Sequence, residues 1–268
     1  IRNIDKKTLL FYEKLDNRIK LFQGDVTDIR LIKRIINEEN IKHIFHLAAQ
    51  VEVGVAMKYP FSTFESNIKG TYTVLEAART SASKIKSVII ASSDKSYGEY
   101  PPSKLPYKEN YPLNPKFYYD TSKACADLIA KSYAYNPNKP LPIIITRFAN
   151  IFGPGQMNFS ALIPDCIRSS LKYSNFEPRG NGKDTRDFLY VEDVAEIYEI
   201  LARELTLDKK LSGQIFNAGT SEKFKVVDII RKIYLKNRNK KDLSKILLKL
   251  PKKKTTGEIK NQLMNFDK

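Results

Sequence analysis

Two short segments carry side chains whose types and spacing suit proton transfer. The first is Ser93-Asp94-Lys95, directly after an apolar run, and the second contains Tyr119 and Lys123. A spacing of i, i+4 places Tyr119 and Lys123 on one face of a helix. Tyrosine, with an ordinary pKa of about 10, is a poor base at neutral pH, and a nearby cation favours its phenolate. The two segments therefore supply a base with an activating charge, a hydroxyl, a carboxyl and an ammonium group.

The apolar run Ser87–Ala91 predicts a buried parallel strand. The first segment then lies at the carboxyl end of this strand, where open α/β sheets bind their ligands. A helix over 117–133 would carry Tyr119 and Lys123. Hydrophobic periodicity predicts further strands at 19–22, 42–47, 141–146 and 214–217, and further helices at 30–37, 59–78, 163–171, 191–201 and 224–235. Alternating strands and helices predict an α/β fold with a doubly wound parallel sheet.

The Gly153-Pro154-Gly155 break divides the chain in this interpretation. We expect a cofactor-binding domain over 1–150 and a smaller lobe, mainly for substrate, over 151–268, with segments that return to the first domain. The Pro-, Tyr- and Lys-rich stretch 98–115 predicts an irregular loop long enough to cover a site. Asp28 is expected to cap the helix that follows it.

Composition excludes several classes of protein. Apolar residues make up 42% of the 268 residues, which is typical of a globular protein. No stretch is long and apolar enough to span a membrane, and nothing at the start resembles a secretory signal. The isolated thiols Cys125 and Cys166 suit a cytoplasmic location, and neither has metal-ligand spacing. His43 and His46, three residues apart on a strand, point to opposite faces and cannot share a metal.

The formal net charge of +16 is the strongest deviation from an average protein. Residues 231–260 contain 12 Lys and Arg against Asp242 and Glu258. Such a balance is compatible with nucleic-acid binding or with a solvated, lysine-rich surface that attracts phosphorylated substrates. No aromatic interleaving or nucleic-acid motif accompanies the lysines, so we favour the solvated surface and expect no nucleic-acid partner.

A series of motifs resembles the extended short-chain dehydrogenase/reductase family, nearest to its CDP-glucose 4,6-dehydratase-like branch. The upstream Ser-Ser-Asp and the Tyr-xxx-Lys pair belong to this series. It extends in order through Gly24-Asp25-Val26-Thr27-Asp28, His46-Leu47-Ala48-Ala49, Asn67-Ile68-Lys69-Gly70-Thr71, the segment from Arg147 to Gly155 and the segment from Arg186 to Val194. The resemblance covers roughly residues 20 to 220 and implies a Rossmann-type fold.

The resemblance also implies roles for individual residues. The catalytic group is Ser93, Asp94, Lys95, Tyr119 and Lys123. The cofactor is NAD, and its contacts are Asp25, Val26, His46, Leu47, Ala48, Ala49, Asn67, Ser92, Tyr119 and Lys123. The substrate is a nucleotide-sugar, and its contacts are Asn150, Asn158 and Arg186. For His46 we favour a packing or hydrogen-bonding role over proton transfer. A helix-surface amide at Asn67 and a surface arginine at Arg186, paired with Asp184 or Asp187, remain alternatives. A homodimer through the helices over 59–78 and 117–133 is a family expectation.

The implied reaction is internal oxidation, water loss and reduction. Tyr119 takes a proton from the C4 hydroxyl, Ser93 steadies that oxygen, and Asp94, if protonated, gives a proton to the C6 hydroxyl that leaves. Many dehydratases carry Asp-Glu where this chain has Asp94-Lys95, and this difference favours CDP-glucose as substrate. Lys95 is either a base with a lowered pKa or an electrostatic stabiliser of the enolate.

A glycine-rich turn for the cofactor pyrophosphate is missing from the sequence. We therefore expect that the chain lacks its first β-α unit, and that its carboxyl end is also cut. The position that would separate NAD from NADP falls in the missing part, so NAD comes from the resemblance alone. A nucleotide-sugar 4-epimerase of the same superfamily and an inactive fragment are the alternatives.

Overall fold

A central four-stranded parallel sheet organises the computed structural model, which describes residues 8–220, 222–251, 259 and 261–265. Its strands are β1 (His43–His46), β2 (Ser87–Ala91), β3 (Ile143–Phe148) and β7 (Ile215–Ala218), in that spatial order. Val88 of β2 aligns with Ile44 of β1 and with Ile143 of β3. The carboxyl ends of β1, β2 and β3 therefore meet at one edge, as predicted.

Helices cover both faces of this sheet. The main ones are α2 (Ile29–Glu38), α5 (Gly70–Thr80), α6 (Tyr118–Ala134) and α8 (Val191–Leu207). Successive residues of a strand point to opposite faces. Val88 and Ile90 accordingly pack with α2, α5 and α6, whereas Ile89 packs against α8. Burial on both faces explains the continuous apolar runs of these strands, and the Rossmann-type fold is confirmed.

A smaller set of elements continues from the carboxyl edge. It comprises the two-stranded pairs β4 (Asn150–Phe152) with β6 (Phe188–Tyr190) and β5 (Thr185–Arg186) with β8 (Phe224–Lys225), and the helices α7 (Leu162–Ser170), α9 (Val226–Lys236) and α10 (Lys240–Leu248). Cys166 and Tyr234 lie in the separate core of these helices. The domain boundary at 150/151 remains a prediction.

Two predicted elements need correction. The segment 19–22 is not a strand, because no described strand lies beside it to pair with its backbone, and Ile19 is 51% exposed. The helix predicted over 59–78 is three consecutive pieces: α4 (Pro60–Phe64), a π-helical turn over Glu65–Lys69, and α5. The short helices α1 (Leu9–Tyr12) and α3 (Val53–Lys58) were not predicted.

The loop 98–115 packs into the molecule through tyrosines. Tyr97 and Tyr107 are fully buried, and their rings stack with centroids 4.9 Å apart. The backbone of Tyr107 bonds to Leu263 and Asn265, which ties the loop to the segment 261–265. Gly98 begins the loop at a φ of +73°, where an added Cβ would collide with the Asn114 carbonyl.

None of the helices in the described ranges is long and apolar enough to cross a membrane. Those same ranges contain no group of three His, Cys, Asp or Glu side chains that could hold a metal ion.

Candidate active site

The carboxyl end of β2 and the first turns of α6 bring the predicted catalytic residues together. Ser93 begins a short 3-10 helix and accepts a hydrogen bond from the Lys95 backbone at 3.2 Å. Its hydroxyl donates to Asp94 Oδ1 at 3.1 Å. The Ser93 hydroxyl and the charge of Asp94 both act on the pKa of Tyr119, the first lowering it and the second raising it. Ser93, Asp94, Tyr119 and Lys123 are all buried, so these groups share one water-poor site.

Lys123 is held at the end of β2 by a hydrogen bond to the backbone. Its Nζ donates to the carbonyl oxygen of Ala91 at 2.8 Å, and burial lowers its pKa to about 8. Burial also raises the pKa of Tyr119. The Ser93 hydroxyl opposes that rise. Lys123 is not among the groups that shift the pKa of Tyr119, so its activation of the phenol stays a prediction.

Asp94 has the environment of a proton donor. The residue is 4% exposed, and its Oδ2 has no hydrogen-bond partner among the described residues. Burial raises the pKa of this carboxyl, and the opposing influences are the charge of Lys95, the Ser93 hydroxyl and the charge of Arg186. A buried carboxylate with one unpaired oxygen is costly, whereas the protonated acid is not. The site therefore favours a protonated Asp94.

Asp120 was missed by the sequence reasoning. It is 2% exposed, and burial raises its pKa to about 6, an effect that Lys95 opposes and Asp94 strengthens. Its position next to Tyr119 in the first turn of α6 was the available signal, but carboxylates there are common because they interact favourably with a helix amino terminus. Asp94, Lys95 and Asp120 thus form one electrostatic group.

Asn67 lies in the π-helical turn and joins three parts of the site. Its Nδ2 donates to the Gln50 carbonyl and to Ser122 Oγ, both at 2.9 Å, and its Oδ1 accepts from the Gln50 backbone at 2.7 Å. Asn67 is 2% exposed. The alternative of a helix-surface amide is therefore wrong, and Asn67 fixes the loop after β1 against the catalytic helix.

His46 is held as a neutral hydrogen-bond donor. Burial, and then the charge of Lys123, lower its pKa to about 4. The Thr71 hydroxyl gives its proton to the Asn67 carbonyl, so it accepts from His46 Nε2 at 3.0 Å. His43 bonds instead to Ser87. The different partners agree with the predicted opposite orientation of the two rings.

The remaining predicted cofactor contacts lie in turns at the same edge of the sheet. Asp25 Oδ1 accepts from both the backbone and the hydroxyl of Thr27 at 2.9 Å, and Asp28 caps α2 as expected. Val26 approaches Gly70 so closely that a Cβ there would lie 2.8 Å from its side chain. The others are placed after β1 and β2, namely Leu47, Ala48, Ala49 and Ser92. Their contact with a cofactor stays a prediction.

A cavity of about 270 Å³ adjoins this group, and Lys95 belongs to its wall. All three predicted substrate contacts line it: Asn150, Asn158 and Arg186. Arg186 is 8% exposed, and Asp187 bonds instead to Thr220 and the Met264 backbone. Arg186 is therefore not a surface residue, and a pairing with Asp184 stays open. Gln262 also lines the cavity and was not predicted.

Comparison with known proteins identifies the family of the chain. The family model described as GDP-mannose 4,6 dehydratase matches residues 2–268. The chain is 32% identical over 223 residues to dTDP-D-glucose 4,6-dehydratase of Dictyostelium discoideum, covering 80% of this chain and 49% of that protein. It is 33% identical over 215 residues to a trifunctional UDP-glucose 4,6-dehydratase, 3,5-epimerase and reductase of Arabidopsis thaliana, covering 80% and 31%. The chain thus spans half or less of these relatives.

Solved structures share the fold. A dTDP-glucose 4,6-dehydratase from Streptomyces venezuelae, crystallised with NAD, superposes with a TM-score of 0.81 at 23% identity, over 96% of this chain and 74% of that one. A UDP-glucose 4-epimerase from Thermotoga maritima gives a TM-score of 0.80 at 22% identity, over 95% and 78%. Dehydratases and epimerases therefore have the same architecture as this chain.

Proposed function

Because the chain belongs to the GDP-mannose 4,6 dehydratase family, we propose that it is a nucleotide-sugar 4,6-dehydratase. Such an enzyme converts an NDP-hexose to the 4-keto-6-deoxy sugar with loss of one water. The observation that supports this most strongly is Asp94, a buried carboxyl with an unpartnered oxygen, in one site with Tyr119. A base and an acid are both required when a hydroxyl is oxidised at one carbon and water leaves from another.

NAD is the proposed cofactor. When bound, it would accept a hydride from C4 of the sugar and supply one to C6. The residues present fit its ribose end, because Lys123 Nζ has three donors and its one described hydrogen bond is to Ala91. The loop after β1, fixed by Asn67, would form the adjoining wall.

Tyr119 and Ser93 act at C4 in this proposal. Tyr119, as phenolate, takes the hydroxyl proton, and Ser93 turns its single O–H from Asp94 to donate to the C4 oxygen. The resulting ketone acidifies the C5 hydrogen, so the hydroxyl at C6 becomes a leaving group.

Asp94 and Lys95 act on the elimination. Asp94 gives its proton to the departing C6 hydroxyl, which leaves as water. Elimination also removes the C5 proton. Lys95 lies beside Asp94 and in the cavity wall, where as the free amine it would take that proton. The alternative role of Lys95, a charge that stabilises the enolate oxygen, stays open and would require another acceptor for the C5 proton.

The identity of the nucleotide belongs to the proposal as well. The Asp94-Lys95 pair favours CDP-glucose, whereas the relatives described above are named for dTDP- and UDP-glucose. A sugar 4-epimerase remains the second candidate because the epimerase structure superposes equally well. An epimerase has no use for a proton donor at C6, so Asp94 favours the dehydratase.

The test is incubation of the purified protein and NAD with CDP-, dTDP- and UDP-glucose and GDP-mannose, followed by mass spectrometry. We expect one of these substrates to lose one water and gain a ketone. Tyr119→Phe should reduce the rate by roughly 10²- to 10⁴-fold, and Tyr118→Phe, an exposed neighbour, should leave it unchanged. Inversion at C4 without water loss would identify an epimerase, and no turnover of any substrate would support the inactive fragment.

A further inference from the structure

Gln262 is a buried amide whose nitrogen donates no hydrogen bond within the described part of the chain. The residue is 1% exposed, and its Nε2 has no hydrogen-bond partner within the described part of the chain. Leaving such a group unpaired is destabilising, so a native structure that retains one has a reason for it. Gln262 also lies in the wall of the 270 Å³ cavity together with Lys95 and Arg186.

The orientation of this amide is fixed by its neighbours. Asn150 Nδ2 donates to the backbone carbonyl of Asp187 at 2.9 Å, which identifies this atom as the nitrogen of the Asn150 amide. The same Nδ2 donates to Gln262 Oε1 at 3.2 Å. The oxygen of Gln262 is therefore engaged, and its Nε2 is the group left to donate.

The backbone around Gln262 is held in register with β5. Its N–H donates to the Thr185 carbonyl at 3.2 Å, and the Thr185 hydroxyl donates to Asn261 Oδ1 at 2.8 Å. These bonds place Gln262 next to the strand that carries Arg186. Asn150 follows β3, at the carboxyl edge where Asp94 and Tyr119 lie. The hydrogen-bonded amides of Asn150 and Gln262 thus lie at the catalytic end of the cavity.

Building on the proposed function, we propose that Gln262 binds the substrate by donating a hydrogen bond from Nε2 to a hydroxyl oxygen of the hexose. A neutral amide matches an uncharged hydroxyl, whereas the phosphates suit the guanidinium groups of Arg179 and Arg186 in the same cavity wall. The acceptor is a hydroxyl on the reacting side of the sugar, because Gln262 shares the cavity wall with Lys95 and bonds to Asn150 at the carboxyl edge of the sheet. Gln262 would then position the sugar and distinguish it from the nucleotide alone.

The test measures binding of a nucleoside diphosphate and of the corresponding nucleotide-glucose by isothermal titration calorimetry. We expect Gln262→Met to weaken binding of the nucleotide-glucose roughly fivefold to tenfold, the value of one neutral hydrogen bond, and to leave binding of the diphosphate unchanged. Gln156→Met is the matched control, because Gln156 lies at the rim of this cavity but its Nε2 already donates to the Ile151 carbonyl. This control should bind both ligands like the wild type.

Thermal unfolding separates binding from folding. Gln262→Met removes an unpaired buried donor along with the bond to Asn150, so we expect a melting temperature equal to or above that of the wild type. Unchanged binding of the nucleotide-glucose, equal loss for both ligands, or a lowered melting temperature would each overturn the hexose contact. Failure of the wild type to bind any nucleotide-glucose would instead reject the proposed function.

Discussion

Burial at the carboxyl end of β2 raises the pKa of both Asp94 and Tyr119. For Asp94 the shift favours the acid that must protonate a leaving hydroxyl. For Tyr119 it disfavours the phenolate, and the nearby Ser93 hydroxyl opposes this effect. The same desolvation thus helps Asp94 to act as an acid and hinders Tyr119 from acting as a base.

Asp94→Asn tests the role of the carboxyl as the acid. The amide keeps the size of the side chain but has no proton to give, so we expect elimination to slow by roughly 10²- to 10⁴-fold while oxidation at C4 continues in part. Accumulation of reduced cofactor in a single turnover, measured by absorbance, reports the first step separately. Asp193→Asn, at the exposed start of α8, should leave both steps intact. Equal loss of both steps would contradict the assignment.

Asp120→Asn tests the unpredicted carboxyl through stability. Its pKa rises from 3.8 to about 6 in the folded state, so its contribution to stability is present below pH 3.8 and is lost as the pH rises through 6. The free energy of unfolding of Asp120→Asn minus that of the wild type should therefore increase by roughly 2 kcal/mol as the pH rises from about 4 to about 7. Urea denaturation at both pH values measures this. A difference that does not change with pH would show that Asp120 is not desolvated.

The types of the catalytic residues could be predicted from the sequence, but their electrostatics could not. Ser93, Asp94 and Tyr119 were identified because strand and helix periodicity placed them together. Asp120 and Gln262 were missed, since burial and the lack of a partner are properties of the folded environment. Spacing alone likewise does not show that the Nζ of Lys123 reaches the Ala91 carbonyl.

At the scale of elements, the π-helical turn over Glu65–Lys69 orients Asn67 toward α6, where it bonds to Ser122. An α-helical pattern does not specify such a turn, so the sequence predicted one uninterrupted helix. The strand predicted at 19–22 failed for another reason, since an apolar run forms a strand only beside a partner. Strands β2, β3 and β7 were predicted well because burial on both faces requires continuous apolar runs.

Asn67→Leu tests this turn. Leucine leaves the Gln50 N–H and carbonyl and the Ser122 hydroxyl without their bonds to Asn67, so we expect a loss of about 2–4 kcal/mol in the free energy of unfolding. Urea denaturation gives the value. Asn110→Leu, an exposed amide of the loop 98–115, should change it by less than about 0.5 kcal/mol. Equal losses of unfolding free energy in the two variants would show that Asn67 has no special structural role.

At the scale of the whole molecule, a buried ion pair joins α6 to the sheet. Arg147 of β3 binds Asp127 of α6 at 2.7 and 3.1 Å, and its guanidinium stacks 4.6 Å above the Tyr97 ring. Both side chains are almost fully buried. The pair thus connects α6, the sheet and the short 3-10 helix that ends at Tyr97.

Arg147→Met should cost about 3–5 kcal/mol of folding free energy, because Asp127 would remain buried without its partner. Arg203→Met removes an exposed partner of Glu204 and should cost less than about 1 kcal/mol. Chemical denaturation of both variants tests the contrast. A small effect of Arg147→Met would mean that Asp127 takes up a proton or reaches solvent at little cost.

The expected homodimer and cytoplasmic location also belong to this scale and stay predictions. Phe61 of α4 and Leu128 of α6, on the helices expected to pair, are 78% and 58% exposed. Exposed apolar side chains on these helices are compatible with a covered surface in a dimer. The preference for a solvated lysine surface over nucleic-acid binding likewise stays a prediction.

The most direct measurement follows one hydrogen atom through the reaction. The accepted nucleotide-glucose, labelled with deuterium at C4, is incubated with the protein and NAD, and the product is examined by NMR and mass spectrometry. With Tyr119 as the base at C4 and Asp94 as the acid at C6, NAD would carry the deuteride between the two carbons, which predicts deuterium on C6 of a 4-keto-6-deoxy sugar. Deuterium retained on an inverted C4, with no water lost, would contradict this account.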